Sequence, residues 1–221
     1  MSAQAAVIAS APPAAAPPVA PFLPLPATPK ISVQEYFELE RHSEIRYEYF
    51  EGEIIAMPGV SLPHNRISGN FFTVLDRTCE AFIEAVRVRV SPTQYRYPDV
   101  VALRGEPITD GENPPALLNP GVIVEVLSAS TAAKDKGEKF LEYKQMASLT
   151  DYVLAAQDSV SVLHYARETA KKWTITEYTE LTDTLTFAAL EVTISLADIY
   201  RKIVFTAPEN LEPAAPAESA K

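Results

Sequence analysis

Residues 121–139 read GVIVEVLSASTAAKDKGEK, and this stretch predicts the centre of the fold. Residues 122–124 are a run of β-branched apolar side chains, which is typical of a strand buried on both faces. Glu125 interrupts that run before Val126 and Leu127. A carboxylate inside a buried strand is costly unless it is paired or bound to a metal, so we expect Glu125 to have a partner.

A second acid stands beside another apolar run, in Tyr97-Pro98-Asp99-Val100-Val101. The proline favours an extended chain before Asp99. After Glu125, residues 128–131 are typical of a turn and helix N-cap, and Lys139 follows at helical spacing. Two acids on neighbouring strands, with a lysine close behind, form a set that can hold a divalent metal and catalyse hydrolysis.

The composition is that of an ordinary globular protein with an acidic balance. The chain has 221 residues and a formal net charge of −10, which argues against broad electrostatic capture of nucleic acid but leaves local binding open. The one cysteine, Cys79, excludes an internal disulfide and fits a reducing compartment. No apolar run approaches the roughly 20 residues of a membrane span, and the first residues lack a secretory pattern. We therefore expect a cytoplasmic protein without a membrane segment.

Two segments differ in composition from the rest of the chain. Residues 1–30 are rich in alanine and contain eight of the 19 prolines, which predicts an extended or disordered arm. Residues 207–221 have the same character and the same prediction. Residues 31–206 are predicted to form one domain.

Within that domain the pattern predicts an α/β fold, in which a mixed sheet is flanked by helices. Ser32 and Glu35 form a capping box for the first helix. Further helices are predicted at 65–85, 131–146 and 196–200. Strands are predicted at 46–50, 53–57, 86–90, 95–103, 122–127, 151–155, 161–165, 173–178 and 184–187, with a surface loop at 104–120.

Several motifs occur in a fixed order: Tyr-Glu-x-x-x-Gly-Glu-Ile from residue 47, a His soon after Met-Pro-Gly, Tyr-Pro-Asp-Val-Val, Val-Glu-Val-Leu-Ser-x-Ser-Thr, Asp-x-Gly-Glu-Lys-Phe-x-x-Tyr and Asp-Tyr-Val-Leu. This order resembles the Uma2 family of the PD-(D/E)xK restriction-endonuclease-like superfamily, over nearly all of 32–205. The resemblance implies a restriction-endonuclease-like core, with a mixed central β-sheet flanked by helices. It also implies magnesium-dependent cleavage of nucleic-acid phosphodiester bonds, for which manganese is an alternative metal.

The resemblance also implies roles for individual residues. Pro98-Asp99 matches the PD of the signature, Glu125 its second acid, and Glu48 an acid on an early element. Leu127 departs from the signature, which places lysine there, and Lys139 resembles a migrated replacement. Asp99 and Glu125 would hold the metal, with the carbonyl of Val126 as a third ligand, and Lys139 would orient or deprotonate the attacking water.

Each of these residues also has a purely structural interpretation. Asp99 and Glu125 are equally described as strand-end acids in solvated turns, and Lys139 as part of a solvated helix face. Glu48 lies among other acids, and His64 fits either a helix-capping contact or a proton-transfer role. These alternatives stay open at the level of sequence.

Four other charged residues have interpretations that do not involve catalysis or metal binding. Asp135 is interpreted as favouring the positive end of its helix. Arg87, Arg89 and Arg96 lie on or beside strands near Asp99, so they are candidates for phosphate contacts. The alternation at 87 and 89 equally describes a solvent-facing strand.

Two hypotheses about function are consistent with the sequence. The first is a metal-dependent endonuclease acting on nucleic acid, with DNA as the expected substrate. A homodimer would suit cleavage of both strands of a duplex. The second is the same scaffold with weak or no catalysis, serving as a nucleic-acid-binding or protein-binding module, which Leu127 and the acidic charge favour.

Overall fold

The structure is a computed structural model that describes residues 30–57, 59–128 and 132–205. Nearly all of the two predicted arms lies outside these residues. The mixed α/β class predicted from the sequence is confirmed. The helices are α1 (Val33–His42), α2 (Leu62–Leu75), α3 (Ala132–Lys134), α4 (Phe140–Tyr143) and α5 (Leu196–Ile199), with a π-helical turn at Asp135–Lys139.

The strands divide into two larger sheets and a hairpin. They are β1 (Tyr47–Phe50), β2 (Glu53–Ala56), β3 (Glu80–Ile83), β4 (Arg87–Ser91), β5 (Gln94–Arg96), β6 (Val100–Leu103), β7 (Ala116–Leu117), β8 (Val122–Leu127), β9 (Asp151–Ala156), β10 (Val162–Thr169), β11 (Lys172–Tyr178), β12 (Thr184–Phe187) and β13 (Val192–Ser195). The larger sheet has six strands in the order β11-β10-β9-β8-β6-β3, and the other has five in the order β2-β1-β5-β4-β7. No helix within the described ranges is long and apolar enough to cross a membrane.

The central strand of the six-stranded sheet is β8, as the sequence predicts. It pairs in parallel with β9 and antiparallel with β6, and all six of its residues are buried. Its even-numbered valines pack into a core with α2, α5 and the β12–β13 hairpin. Ile123 and Leu127 face the other side, where they pack with α4. Because side chains alternate along a strand, Glu125 lies on the α4 side.

The five-stranded sheet is covered by α1. Ser32 caps this helix and Glu35 completes the predicted capping box. Tyr36 and Phe37 of α1 pack against Tyr49 and Tyr95 in an aromatic core. The predicted turn between β1 and β2 is also present, with Gly52 at φ +98°, a conformation that glycine adopts without a Cβ clash.

The predicted helix 65–85 is wrong in its second half. The helix ends at Leu75, and Glu80–Ile83 forms β3, which pairs antiparallel with β6. Adjacent apolar residues such as Phe82 and Ile83 fit both a helical and a strand period, so the pattern alone does not separate the two. The predicted loop 104–120 also contains the short strand β7, parallel to β4.

The predicted helix 131–146 begins and ends close to the observed helical segment but is not a regular α-helix. From Ala132 to Tyr143 it consists of α3, a π-helical turn and α4. A π-helical turn widens the backbone locally and is frequent at functional sites. Its position here determines where Asp135 and Lys139 point.

Candidate active site

A cavity of about 390 Å³ lies where β8 ends and β6 begins. The residues that the sequence singled out as catalytic or metal-binding all line it: Glu48, His64, Asp99, Glu125, Val126 and Lys139. These residues come from β1, α2, the start of β6, β8 and the π-helical turn. The tertiary structure therefore brings together side chains that are up to 91 positions apart in the chain.

Asp99 and Glu125 face each other across the strand pair. In the antiparallel register, Val100 lies opposite Val124 and Val101 opposite Ile123. Extending that register by one residue places Asp99 opposite Glu125, where Cβ atoms are typically about 4.5–5.5 Å apart. The backbone N–H of Val126 donates to Asp99 Oδ2 at 2.6 Å, which fixes this carboxylate at the end of β8.

Glu125 is a buried acid with two donors on one oxygen. Its Oε1 accepts from Lys139 Nζ at 3.0 Å and from the Tyr143 hydroxyl at 3.1 Å. Burial raises the pKa of Glu125 to about 8; Lys139 opposes this rise, and nearby acids including Asp99 add to it. The protein alone therefore stabilises the charged form of Glu125 less than water does.

Lys139 lies among three carboxylates and is only 8% exposed. Besides Glu125, its Nζ lies 3.1 Å from Asp135 Oδ1 and 3.7 Å from Glu48 Oε1. Burial alone would lower the pKa of Lys139, but the attraction of Glu125, Glu48 and Asp135 reverses this and raises it. The solvated-helix interpretation of Lys139 is wrong, because this amine is buried and points into the cavity.

Asp135 lies in the first turn of its helical segment, as predicted, but it also has a buried partner. Asp135 is 2% exposed, lines the cavity and pairs with Lys139 four residues later. The π-helical turn holds both residues, and Tyr152 donates to the Asp135 carbonyl at 3.0 Å. The spacing of four between an acid and a lysine was visible in the sequence and could have identified this pair.

Leu127 stands where the signature has lysine, and the structure places it in an apolar environment. Leu127 lies on the α4 side of β8 and packs in the apolar cluster that includes Tyr143 and Met146. The helical segment that covers this face supplies Lys139 instead, from directly above Glu125. The amine and the carboxylate therefore meet without a lysine on the strand.

His64 lies in the first turn of α2 and contacts Asp99. Its Nε2 is 3.2 Å from Asp99 Oδ2, and its backbone N–H donates to the capping Ser61 hydroxyl. Burial lowers the pKa of His64, but the hydrogen bond and charge of Asp99 outweigh it, so the net direction is upward. His64 Nδ1 is buried and has no hydrogen-bond partner among the described residues.

Arg96 forms a buried link that sequence reasoning missed. Its guanidinium donates to both oxygens of Glu142, at 2.8 and 2.9 Å, and to Glu48 Oε2 at 2.8 Å. Burial would lower the pKa of Arg96, and the two carboxylates raise it instead. The proposed phosphate contact by Arg96 is wrong, because this side chain is 1% exposed and already occupied. Its neighbour Arg87 is equally buried and lies over the ring of Phe37 at 4.7 Å.

The donor set at the end of β8 fits a small divalent cation. Within the described ranges, no group of three or more His, Cys, Asp or Glu side chains is arranged to hold a metal. Magnesium, however, is usually bound through one or two carboxylates, with water and substrate oxygens completing the octahedron. Asp99 and Glu125 carry carboxylate oxygens, the ligand type that magnesium prefers, and both line the cavity.

Comparison with known proteins places the chain among bacterial relatives of similar size. It is 35% identical over 158 residues to the uncharacterised protein sll1609 of Synechocystis sp., covering 68% of this chain and 89% of the relative. It is 34% identical over 194 residues to slr1290 of the same organism, also uncharacterised, covering 85% of this chain and 97% of the relative.

The fold matches a solved structure, described as "a putative nuclease belonging to DUF820" from Anabaena variabilis. The TM-score is 0.61 at 19% sequence identity, and the match covers 77% of this chain and 97% of the other. At that identity the likeness shows a shared fold. The family model of Uma2, described as "Putative restriction endonuclease", matches residues 33–197. The chain belongs to the Uma2 family.

Proposed function

We propose that this protein is a metal-dependent nuclease that hydrolyses phosphodiester bonds of nucleic acid, DNA in particular, with magnesium or manganese held by Asp99 and Glu125. The family and the fold support a nuclease-like function. The observation that carries the proposal is the meeting of Asp99, Glu125 and Lys139 in one cavity.

The charge balance of the cavity supports a cation between the acids. Four of the lining residues are carboxylic acids, namely Glu48, Asp99, Glu125 and Asp135, whereas Lys139 is the only lysine or arginine among the described lining residues. Nucleic-acid phosphates would be repelled by such a surface unless added positive charge compensated it. A divalent ion would supply that compensation, and it would also activate a water molecule for attack on phosphorus.

The protein's own side chains then have separate tasks. Lys139 Nζ, held 3.0 Å from Glu125, can orient the attacking water or offset charge on the phosphate. Glu48 supports Lys139 from the other side and is itself held by Arg96. His64 fixes the Asp99 carboxylate, since its Nε2 lies 3.2 Å from Asp99 Oδ2. The Val126 carbonyl is proposed as the third protein ligand.

The test is hydrolysis of defined nucleic acids by the purified protein. Plasmid, linear, branched and single-stranded DNA and single-stranded RNA would be incubated with magnesium, manganese or EDTA. We expect metal-dependent cleavage that disappears in Asp99→Asn, which keeps the size of the side chain but removes its charge. Cleavage that persists in Asp99→Asn would remove the support for this site. Sedimentation in the same buffers tests whether a homodimer forms.

A second function is favoured by one observation. The Lys139 ammonium already pairs with Glu125 and Asp135, so a positive charge is present where a catalytic cation would sit. The same scaffold could then bind nucleic acid or protein with weak or no catalysis. Calorimetric titration with magnesium separates the two proposals. The nuclease must bind magnesium, and Asp99→Asn must weaken that binding, whereas the binding module does not need to bind magnesium at all.

A further inference from the structure

One wall of the cavity is apolar, and the proposed hydrolysis makes no use of it. Ile55 of β2, Met57 and Val60 are apolar residues that line the cavity. In the β1–β2 register Ile55 lies directly across from Glu48, so both side chains project from the same face of the sheet. Ile55 and Val60 are 41% and 50% exposed. Apolar side chains at the mouth of a cavity favour a ligand with an apolar face.

The volume of the cavity suits a ligand larger than a phosphate group. About 390 Å³ lies within the range of pockets that enclose a small organic ligand, and a nucleoside is of this class. The planar face of an unpaired base can pack on aliphatic and thioether side chains, whereas a paired base keeps both faces stacked in the helix. Met57 adds a polarizable sulfur, which makes favourable contacts with aromatic rings.

A polar group is placed to read the edge of such a base. Gln157 follows β9 and lines the same cavity. Its Oε1 accepts a hydrogen bond from the Ser61 hydroxyl, which orients the amide. Its Nε2 can donate to a ring nitrogen or carbonyl of a base.

The charges argue against a duplex as the preferred ligand. A duplex is held mainly by lysine and arginine residues along its phosphates. The net charge of this chain is −10, and Lys139 is the only lysine or arginine among the described residues lining the cavity. Affinity at this site must therefore come largely from contacts other than phosphate neutralisation.

We infer that the cavity takes one unpaired nucleotide, with its base against Ile55, Met57 and Val60 and its phosphate toward Asp99, Glu125 and Lys139. This inference rests on the proposed nuclease function and names its substrate class: single-stranded nucleic acid or a single-stranded segment of a branched molecule.

The test compares fluorescein-labelled oligonucleotides of equal length by fluorescence anisotropy, with calcium replacing magnesium. The probes are a single strand of DNA, the same sequence as RNA, its blunt DNA duplex, and an abasic DNA strand with the same number of phosphates. We expect the normal single strand to bind about tenfold or more tightly than the duplex and the abasic strand, since base contacts of this kind are worth that factor or more. Equal affinity for the abasic strand or the duplex would overturn the inference, as would failure of all probes to bind.

A pair of variants locates the base-binding surface. Val60→Asp places a charge in the apolar wall, and Leu181→Asp adds the same charge at a residue of similar exposure, 48%, that does not line the cavity. We expect Val60→Asp to weaken single-strand binding about tenfold and Leu181→Asp to leave it nearly unchanged. Equal effects of the two substitutions would refute the location. If Val60→Asp does not fold, the abasic comparison still decides the question in the unmodified protein.

The two proposals can fail separately. Metal-dependent cutting of duplex DNA without preference for unpaired bases would leave the nuclease proposal intact and overturn the nucleotide pocket. Tight single-strand binding without hydrolysis in any metal would support the pocket and overturn the nuclease proposal.

Discussion

Substitution of Arg96 tests how strongly its buried ion pairs stabilise the site. Its guanidinium bonds to Glu142 through two hydrogen bonds and to Glu48 through a third. Glu142 lies three residues after Lys139, and Glu48 contacts Lys139 at 3.7 Å. Replacing Arg96 with methionine would remove the cation that pairs with Glu142 and one of the two cations beside Glu48.

The expected loss of stability follows from burial. Breaking one buried ion pair by removing a partner costs about 3–5 kcal/mol, because the remaining charge is uncompensated. Arg96→Met removes the cation that pairs with Glu142, whereas Glu48 keeps Lys139 at 3.7 Å, so we expect a loss near the upper end of this range, about 5 kcal/mol. Arg104 provides the matched control, because it pairs with Glu191 at 3.0 Å but the two side chains are 60% and 73% exposed. Arg104→Met should leave the unfolding midpoint nearly unchanged, because solvent screens this exposed pair.

Urea unfolding followed by the fluorescence of Trp173 measures both variants. A protein of this size has about 5–15 kcal/mol of stability, so Arg96→Met should retain a folded population in water while its unfolding midpoint falls. Comparable midpoints for Arg96→Met and Arg104→Met would refute the argument that the buried Arg96 network supports the site. Arg96→Lys should recover part of the loss, since it restores the charge but not the planar fork.

Three further predictions concern the cavity itself. Lys139→Met should cost about 3–5 kcal/mol in urea unfolding at neutral pH, because the buried carboxylate of Asp135 loses its cation; unchanged stability would contradict the buried pairing. Because the pKa of Glu125 rises from 4.5 to about 8 on folding, its contribution to stability in EDTA is fully present below about pH 4.5 and is lost as the pH rises toward about 8. Magnesium should reduce that loss by binding the ionised form, and an identical pH dependence with and without magnesium would count against a metal at Glu125. Tyr143→Phe removes a donor at 3.1 Å from Glu125 and should cost about 0.5–1.5 kcal/mol at neutral pH, measured by the same unfolding assay, whereas a neutral effect would show that this hydrogen bond is dispensable.

The sequence determined the central strand, and it singled out residues that the structure brings together in one cavity. A run of β-branched side chains with a single acid predicts a buried strand whose carboxylate has a partner. Val122–Leu127 is that strand. The short motifs around Asp99, Glu125 and Lys139 identified the family without the structure. The capping box of Ser32 and Glu35 also predicted the start of the first helix, because the cap is a local hydrogen bond.

Other features depended on contacts between distant parts of the chain. Pairing with β6 makes Glu80–Ile83 a strand, although its apolar pattern also fits the end of a helix. Whether a charged side chain is solvated or buried is decided by what packs over it, so the sequence does not identify Asp135 and Arg96 as buried ion-pair partners. A local pattern records the spacing of residues along one element. Only the tertiary structure shows that α4 covers Glu125 and that β1 brings Glu48 close to Lys139.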